Sequence, residues 1–457
     1  MRAAFIFFSL FALLAAAEDV LSTWQKSMLI TFSGYDDERE ALSDFPALVV
    51  FSNTPAGAGF GYEDFLSPPY NDLRFAADDI TTPLDFEIQL WDTNGLSLVW
   101  VRLPELTNNL RIYALWGKAG AALPPCATDG SVWTNEFLGV WHLDEANGTT
   151  SRDAIRNRYP GTLGGSTAGM GAIGKLGRAC SFGGNNGYVT INITLGTTVT
   201  ISAWASKNAG NSSGMMWSRA TYNPSLWFYN NVIYLNSGDG QGNPMCAVPA
   251  DSDRMRHYTT VIDATKAKAA LYIDGRLASS SANYKNPSGS PLKISSGSGY
   301  DWSGVIDEFT VASVPRSADW IWASYLNMAS NSVFSTHGDP AAQGNPIVTN
   351  LGAVSLVDYI TLNGYLVSTG KDSEVSAVVF WGTNDAGKRT DGWTYTNEFP
   401  GWAAEGPLST NVIPAEIGVL YYFRFFATNS FGDAWANPAG SCIWWSDVRT
   451  GSVFSTW

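Results

Sequence analysis

The segment Arg256–Ser280, RHYTTVIDATKAKAALYIDGRLASS, places Asp274 and Gly275 between two apolar runs. A two-residue turn of that composition suits a type I′ hairpin, because both central residues must take positive φ. Short strands joined by such turns close into sandwiches. The same grammar extends outward. Thr198–Ser206 (TVTISAWAS) and Ser225–Asn230 (SLWFYN) alternate with period two, and so do FPALVVF (Phe45–Phe51) and LSLVWVRL (Leu96–Leu103) further upstream. Only 15% of the 457 residues are charged, while Gly, Trp, Tyr and Phe number 45, 19, 19 and 23. That balance favours strands and tight turns over long amphipathic helices, so the chain is expected to be all-β.

At roughly 100 to 200 residues per domain, this length holds several cores. The expected layout is a leader at 1–17, a first β-sandwich at 18–121, a jelly roll at 132–330, a linker at 331–346 and a last sandwich at 347–457. The linker reading rests on THGDPAAQGNP (Thr336–Pro346). SVFST occurs twice, at Ser332–Thr336 and Ser452–Thr456. Met1 and Arg2, an apolar run and Ala15–Ala17 have the three parts of a secretory signal, so a secreted or cell-surface protein beginning near Glu18 is expected. No later run is long enough to span a membrane. The net charge of −14 would repel nucleic acid over most of the surface. Cys126, Cys180, Cys246 and Cys442 lack CxxC spacing, which argues against zinc. Pairing and buried free thiols both stay open.

Three resemblances follow the domain order. NDLRFAADD (Asn71–Asp79), PLDFEIQLWD (Pro83–Asp92) and their neighbours from Trp24 to Ala121 resemble a bacterial domain of unknown function that commonly precedes laminin-G-like modules in exported proteins. GVWHLDE (Gly139–Glu145), the LYIDGR hairpin and the GVIDEF strand, spread over Val132–Met328, resemble the laminin-G-like form of the concanavalin A-like lectin and glucanase superfamily. LYYFRFFATNSFG (Leu420–Gly432) resembles a strand and turn of fibronectin type III-like domains.

Catalytic signatures are scarce. Jelly-roll glucanases carry acids at i, i+2 and i+4, whereas Asp307 and Glu308 are adjacent and alternation would send them to opposite faces. His142, His257 and His337 are scattered, without an HExxH helix or a GxSxG elbow. The glycine-rich Gly164–Gly177 lacks a P-loop ending and reads as a flexible turn. A non-catalytic protein is therefore expected.

The superfamily resemblance implies a structural calcium, with Glu145, Asp153 and Asp307 as matching positions. Against it stand a solvated Glu145 and an Asx turn at Asp153. It also implies a polysaccharide or glycan partner. Sugar rings present apolar CH faces, so exposed aromatics beside carboxylate or amide oxygens are the natural receptor. Trp227 and Tyr229 share one strand face, and the loop GSGYDWSG (Gly297–Gly304) offers Tyr300, Asp301 and Trp302. Core or rim packing is the competing reading for each ring, and Trp204 is expected in the core. The alternatives to a lectin are a protein-contact spacer and a glycan-active hydrolase.

Overall fold

The computed structural model describes residues 21, 24–52, 60–210, 212–219, 224–236, 244–250, 254–289, 291–296, 299–342, 344–370 and 372–444. The expected leader and the second SVFST lie outside them. The chain is all-β, as expected, and forms three sandwiches in sequence.

In the first sandwich, Lys26–Phe32, Leu110–Trp116, Arg74–Ala77 and Pro83–Leu84 form one sheet. Leu42–Ser52, Leu96–Leu106 and Phe86–Leu90 form the facing one. Alternation does the sorting: Met28, Ile30 and Phe32 point inward against Phe45, Val49, Val101 and Leu103.

The central jelly roll stacks two larger sheets. One runs Cys246–Pro249, Val232–Asn236, Ser225–Tyr229, Ser213–Arg219, Leu292–Ser295, Gly187–Ile191, Gly161–Gly165 and Thr150–Ser151. The other runs Ala168–Ile173, Arg178–Gly183, Ser303–Ala312, Val199–Lys207, Arg256–Asp263, Lys268–Ile273 and Arg276–Ser281, with Phe137–Trp141 also on Ser303–Ala312. Phe182, Ile201, Trp217, Phe228, Ile294 and Phe309 fill the space between them. Asp274 and Gly275 take φ of 49° and 75°, the expected I′ turn. The glycine-rich stretch is corrected: most of it is paired strand, Gly161–Gly165 and Ala168–Ile173.

The linker expectation is also corrected. Asn331–Phe334 is a helical turn, Thr336 and His337 pair with Thr31 and Ile30, and Ala341 and Ala342 pair with Ser27 and Lys26. The chain thus returns to the first sheet before leaving for the third sandwich. Phe334 anchors it, fully buried with its ring 5.9 Å from Phe32 and 6.2 Å from Phe45. Glycine and proline had suggested a spacer, but one buried ring outweighs that composition.

Before this return lies the helix Ala318–Ala329, capped by Ser317 accepting from Trp320 N. Trp320 and Ala323 belong to the first sandwich's core, and Asn327 Oδ1 accepts from Leu48 N at 3.0 Å. On its other side Tyr325 stacks on Trp204 at 5.8 Å, so Trp204 is buried beneath the helix rather than between the jelly-roll sheets. In the last sandwich, Ile347–Ser355, Ile360–Ser368 and Gly406–Val412 face a sheet built on Ser376–Gly382 and Leu420–Asn429. All four cysteines are free.

Candidate functional site

The site is the outer face of the jelly-roll sheet that contains Ser225–Tyr229. Leu226 and Phe228 enter the core, so Trp227 and Tyr229 face outward. The Asn230-Asn231 turn, with φ of 48° and 60°, folds Val232–Asn236 back and sets Tyr234 opposite Trp227. The loop before the closing strand adds Tyr300. The centroid of Trp227 is 5.0 Å from Tyr229, 6.3 Å from Tyr234 and 5.3 Å from Tyr300. Its neighbours leave Trp227 only 7% exposed, with Nε1 donating to Ser213 Oγ at 3.1 Å, whereas Tyr300 is 40% exposed. Trp227 is therefore the floor of the cluster, and the tyrosines are its more exposed rim. Tyr234 was missed by sequence reasoning, although counting across the Asn-Asn turn would have found it.

Two expected contacts fail on burial. Trp302 is a core residue, its N bonded to Ser295 Oγ at 2.9 Å and its Nε1 to Ser206 O at 3.1 Å. Asp301 is buried as well, accepting from Asn186 N at 2.9 Å and Ser296 Oγ at 3.1 Å. The bridge between Asp301 and Met215 turns the backbone inward just after Tyr300. Flanking glycines had made both residues look like surface.

The three acids chosen for calcium do not fit a cation. Asp153 accepts from the backbone N–H groups of Val140, Ile155 and Tyr159 at 3.0 to 3.1 Å, fixing its turn. Asp307 accepts from Lys175 N, Leu176 N and Glu308 N. Glu145 Oε1 takes Arg152 N at 2.6 Å, while its Oε2 is buried without a hydrogen-bond partner. Among the described residues, no three His, Cys, Asp or Glu side chains come together as a metal cluster. Burial raises the pKa of all three acids, and it does so strongly for Asp307.

Asp307 and Glu308 depart from the expected alternation as well. Ile306 and Phe309 both enter the core, three positions apart, and the register slips opposite Ser202 and Trp204. Glu308, at φ 50°, is the extra residue of this bulge, so both acids leave the core side. Glu308 Oε2 meets His142 Nδ1 at 2.8 Å, and its Oε1 accepts from Gln89 Nε2 at 2.6 Å. Gln89 Oε1 accepts from Trp100 Nε1, and Glu87 accepts from Trp133 Nε1 and lies 3.9 Å from His142 Nε2. Burial alone would drive the proton off His142, but the two carboxylates win and its pKa rises well above the ordinary value. This network welds the first sandwich to the jelly roll. Beside it, a cavity of about 50 Å³ is lined by Trp100, Ser202, His257, Glu308, Thr310 and Arg316.

Residues 182–322 match the family model of the concanavalin A-like lectin/glucanases superfamily. The matched stretch contains the whole Trp227 cluster and the closing strand Ser303–Ala312. Solved structures that resemble the chain include domain 4 of AbnA, an extracellular GH43 arabinanase from Geobacillus stearothermophilus, in complex with arabinotriose. That likeness has 17% identity, covers 41% of this chain and 97% of that one, and has a TM-score of 0.35. Trypanosoma rangeli sialidase matches at 14% identity over 53% of this chain and 42% of that one, with a TM-score of 0.34. The receptor-binding domain of botulinum neurotoxin type G matches at 14% over 64% and 72%, also at 0.34. Comparison with curated proteins finds no match. No helix among the described residues is long and apolar enough to cross a membrane.

Proposed function

We propose that the lectin-like jelly roll binds a polysaccharide without cleaving it, in a protein that is secreted or held at a cell surface. The observation that supports this reading is the ring cluster of Trp227, Tyr229, Tyr234 and Tyr300, which packs outside the core with Tyr300 open to solvent. A shallow aromatic surface matches the CH face of a sugar, and the tyrosine hydroxyls supply donors and acceptors for its rim.

The test is a polysaccharide panel against the full chain. Tyr300→Ala should weaken binding by about tenfold or more, the cost of removing one well-placed ring, with an unchanged melting temperature. Trp302→Ala should instead destabilise the fold by about 3–5 kcal/mol, as for a core tryptophan. A Tyr300→Ala protein that binds every polysaccharide as well as wild type would refute the site, and release of reducing sugar would refute the non-catalytic part. Mass spectrometry of exported protein should find a start near Glu18, and recovery of only the Met1 form from the cytoplasm would refute export.

A further inference from the structure

The sheet that carries the ring cluster has an unusual charge for this molecule. Its outward positions follow from the register, being those that alternate with core residues. From one edge they are Ala247 and Pro249, then Val232, Tyr234 and Asn236, then Ser225, Trp227 and Tyr229. Across the middle come Ser213, Met215 and Ser218, then Lys293 and Ser295, then Tyr188 and Thr190, and finally Thr162 and Gly164. Among these described strand positions there is no aspartate or glutamate. The single charge is Lys293, in a protein with 41 acidic and 27 basic residues. A lysine among strand positions that carry no acid is a local inversion of sign in such a protein, and it lowers the repulsion an anion meets there.

Lys293 is also held in position. Its Nζ lies 4.4 Å from the centroid of Tyr188. The tyrosine in turn lies over Gly164, where any Cβ would collide with the ring. The ammonium is thus kept near the sheet surface by a ring, which leaves its charge unneutralised. Counting two strand spacings of about 4.8 Å and two residues of about 3.4 Å puts Lys293 roughly 12 Å from Trp227. Met215, Ser218, Ser225 and Ser295 between the two are buried, so only a ligand longer than a single sugar reaches both.

We infer that the polysaccharide bound by this face is acidic, with its anionic group held by Lys293 while neighbouring rings rest on Tyr229, Tyr234 and Tyr300. This rests on the proposed sugar site and narrows its ligand to polymers bearing carboxylate or sulfate. The tyrosines supply the sequence-tolerant contact, and Lys293 supplies the choice of charge.

The experiment measures affinity of the full chain for polygalacturonate, chondroitin sulfate and neutral dextran, at low and at high salt. At low salt at least one acidic polymer should bind about tenfold more tightly than dextran, and high salt should erase the difference. Lys293→Met should lose the acidic preference while leaving the weaker dextran binding unchanged, and Lys293→Arg should retain it. Tyr300→Ala should weaken all binding alike. Comparing polygalacturonate with chondroitin sulfate tells uronate from sulfate. If Lys293→Met binds acidic polymers like wild type, or dextran binds best, the charge assignment is overturned and the sugar site stands. If no polymer binds, both fall.

Discussion

Along the sequence the jelly roll stands between two other units, and the two joints are built in opposite ways. Toward the first sandwich the joint is a buried surface. The helix Ala318–Ala329 and Phe334 contribute to the neighbour's core, the return strands complete its sheet, and His142 sits between Glu308 and Glu87. Toward the last sandwich the contacts fall on the connecting chain: Lys388 pairs with Asp339, Asn345 Nδ2 donates to Asp433 O at 3.1 Å, and Asn429 Nδ2 donates to Gly344 O at 2.6 Å. One joint buries rings and charges, whereas the other ties chain to loop in partly open positions. The first two units should therefore melt together, and the third by itself.

The largest test of that contrast is Glu308→Ala. It leaves a buried charged histidine short of its main partner and should cost about 3–5 kcal/mol. Calorimetry should show the shared transition of the first two units moving down while that of the last sandwich stays in place. If both move equally, the contrast is broken.

Acid sharpens it further, since His142 and His257 lie at the first joint, His337 lies on the strand that returns to the first sheet, and none lies in the last sandwich. Burial pushes His257 down to about 3 and His337 down to about 4. A folded state that stays neutral while the unfolded state protonates loses stability as pH falls from about 6.5 toward 4. Each histidine then removes about 2 kcal/mol between pH 6.5 and 5. His142 has the opposite sign: its raised pKa stabilises fully below about 6.5, and that contribution fades as pH climbs through the folded value. His337→Phe should flatten the acid side of the first transition, and an unchanged slope would show that the return strand is not the acid-sensitive part.

The smallest effect expected is from Lys388→Ala. It removes a partly exposed pair, so the last sandwich should lose less than about 1 kcal/mol and the first transition should not shift.

What the sequence showed and what it hid divide along the same line. The Asp274-Gly275 hairpin, the inward Leu226 and Phe228 and the outward Trp227 and Tyr229 were all readable, because each depends on residues one or two positions apart. Trp302 was misread because its flanking glycines suggested a surface loop, and Glu308 because a bulge, set by partners on other strands, reverses the local alternation. The weld could not be read at all. Gln89 and Glu308 are 219 residues apart, and no local pattern announces their meeting.

The returning strand also sets a timetable for synthesis. Lys26–Phe32 and its core lack Phe334 and the pairing with Thr336 and His337 until the whole jelly roll has been made. At about 5–20 residues per second, the stretch between Trp116 and His337 takes roughly 10 to 45 s to emerge. During that interval the edge of Lys26–Phe32 has no partner within its own chain, and an open edge is a template for another. The protein must therefore be kept from its own copies while it waits for its last piece of sheet, and a chain halted short of Phe334 would leave a first domain that cannot finish folding.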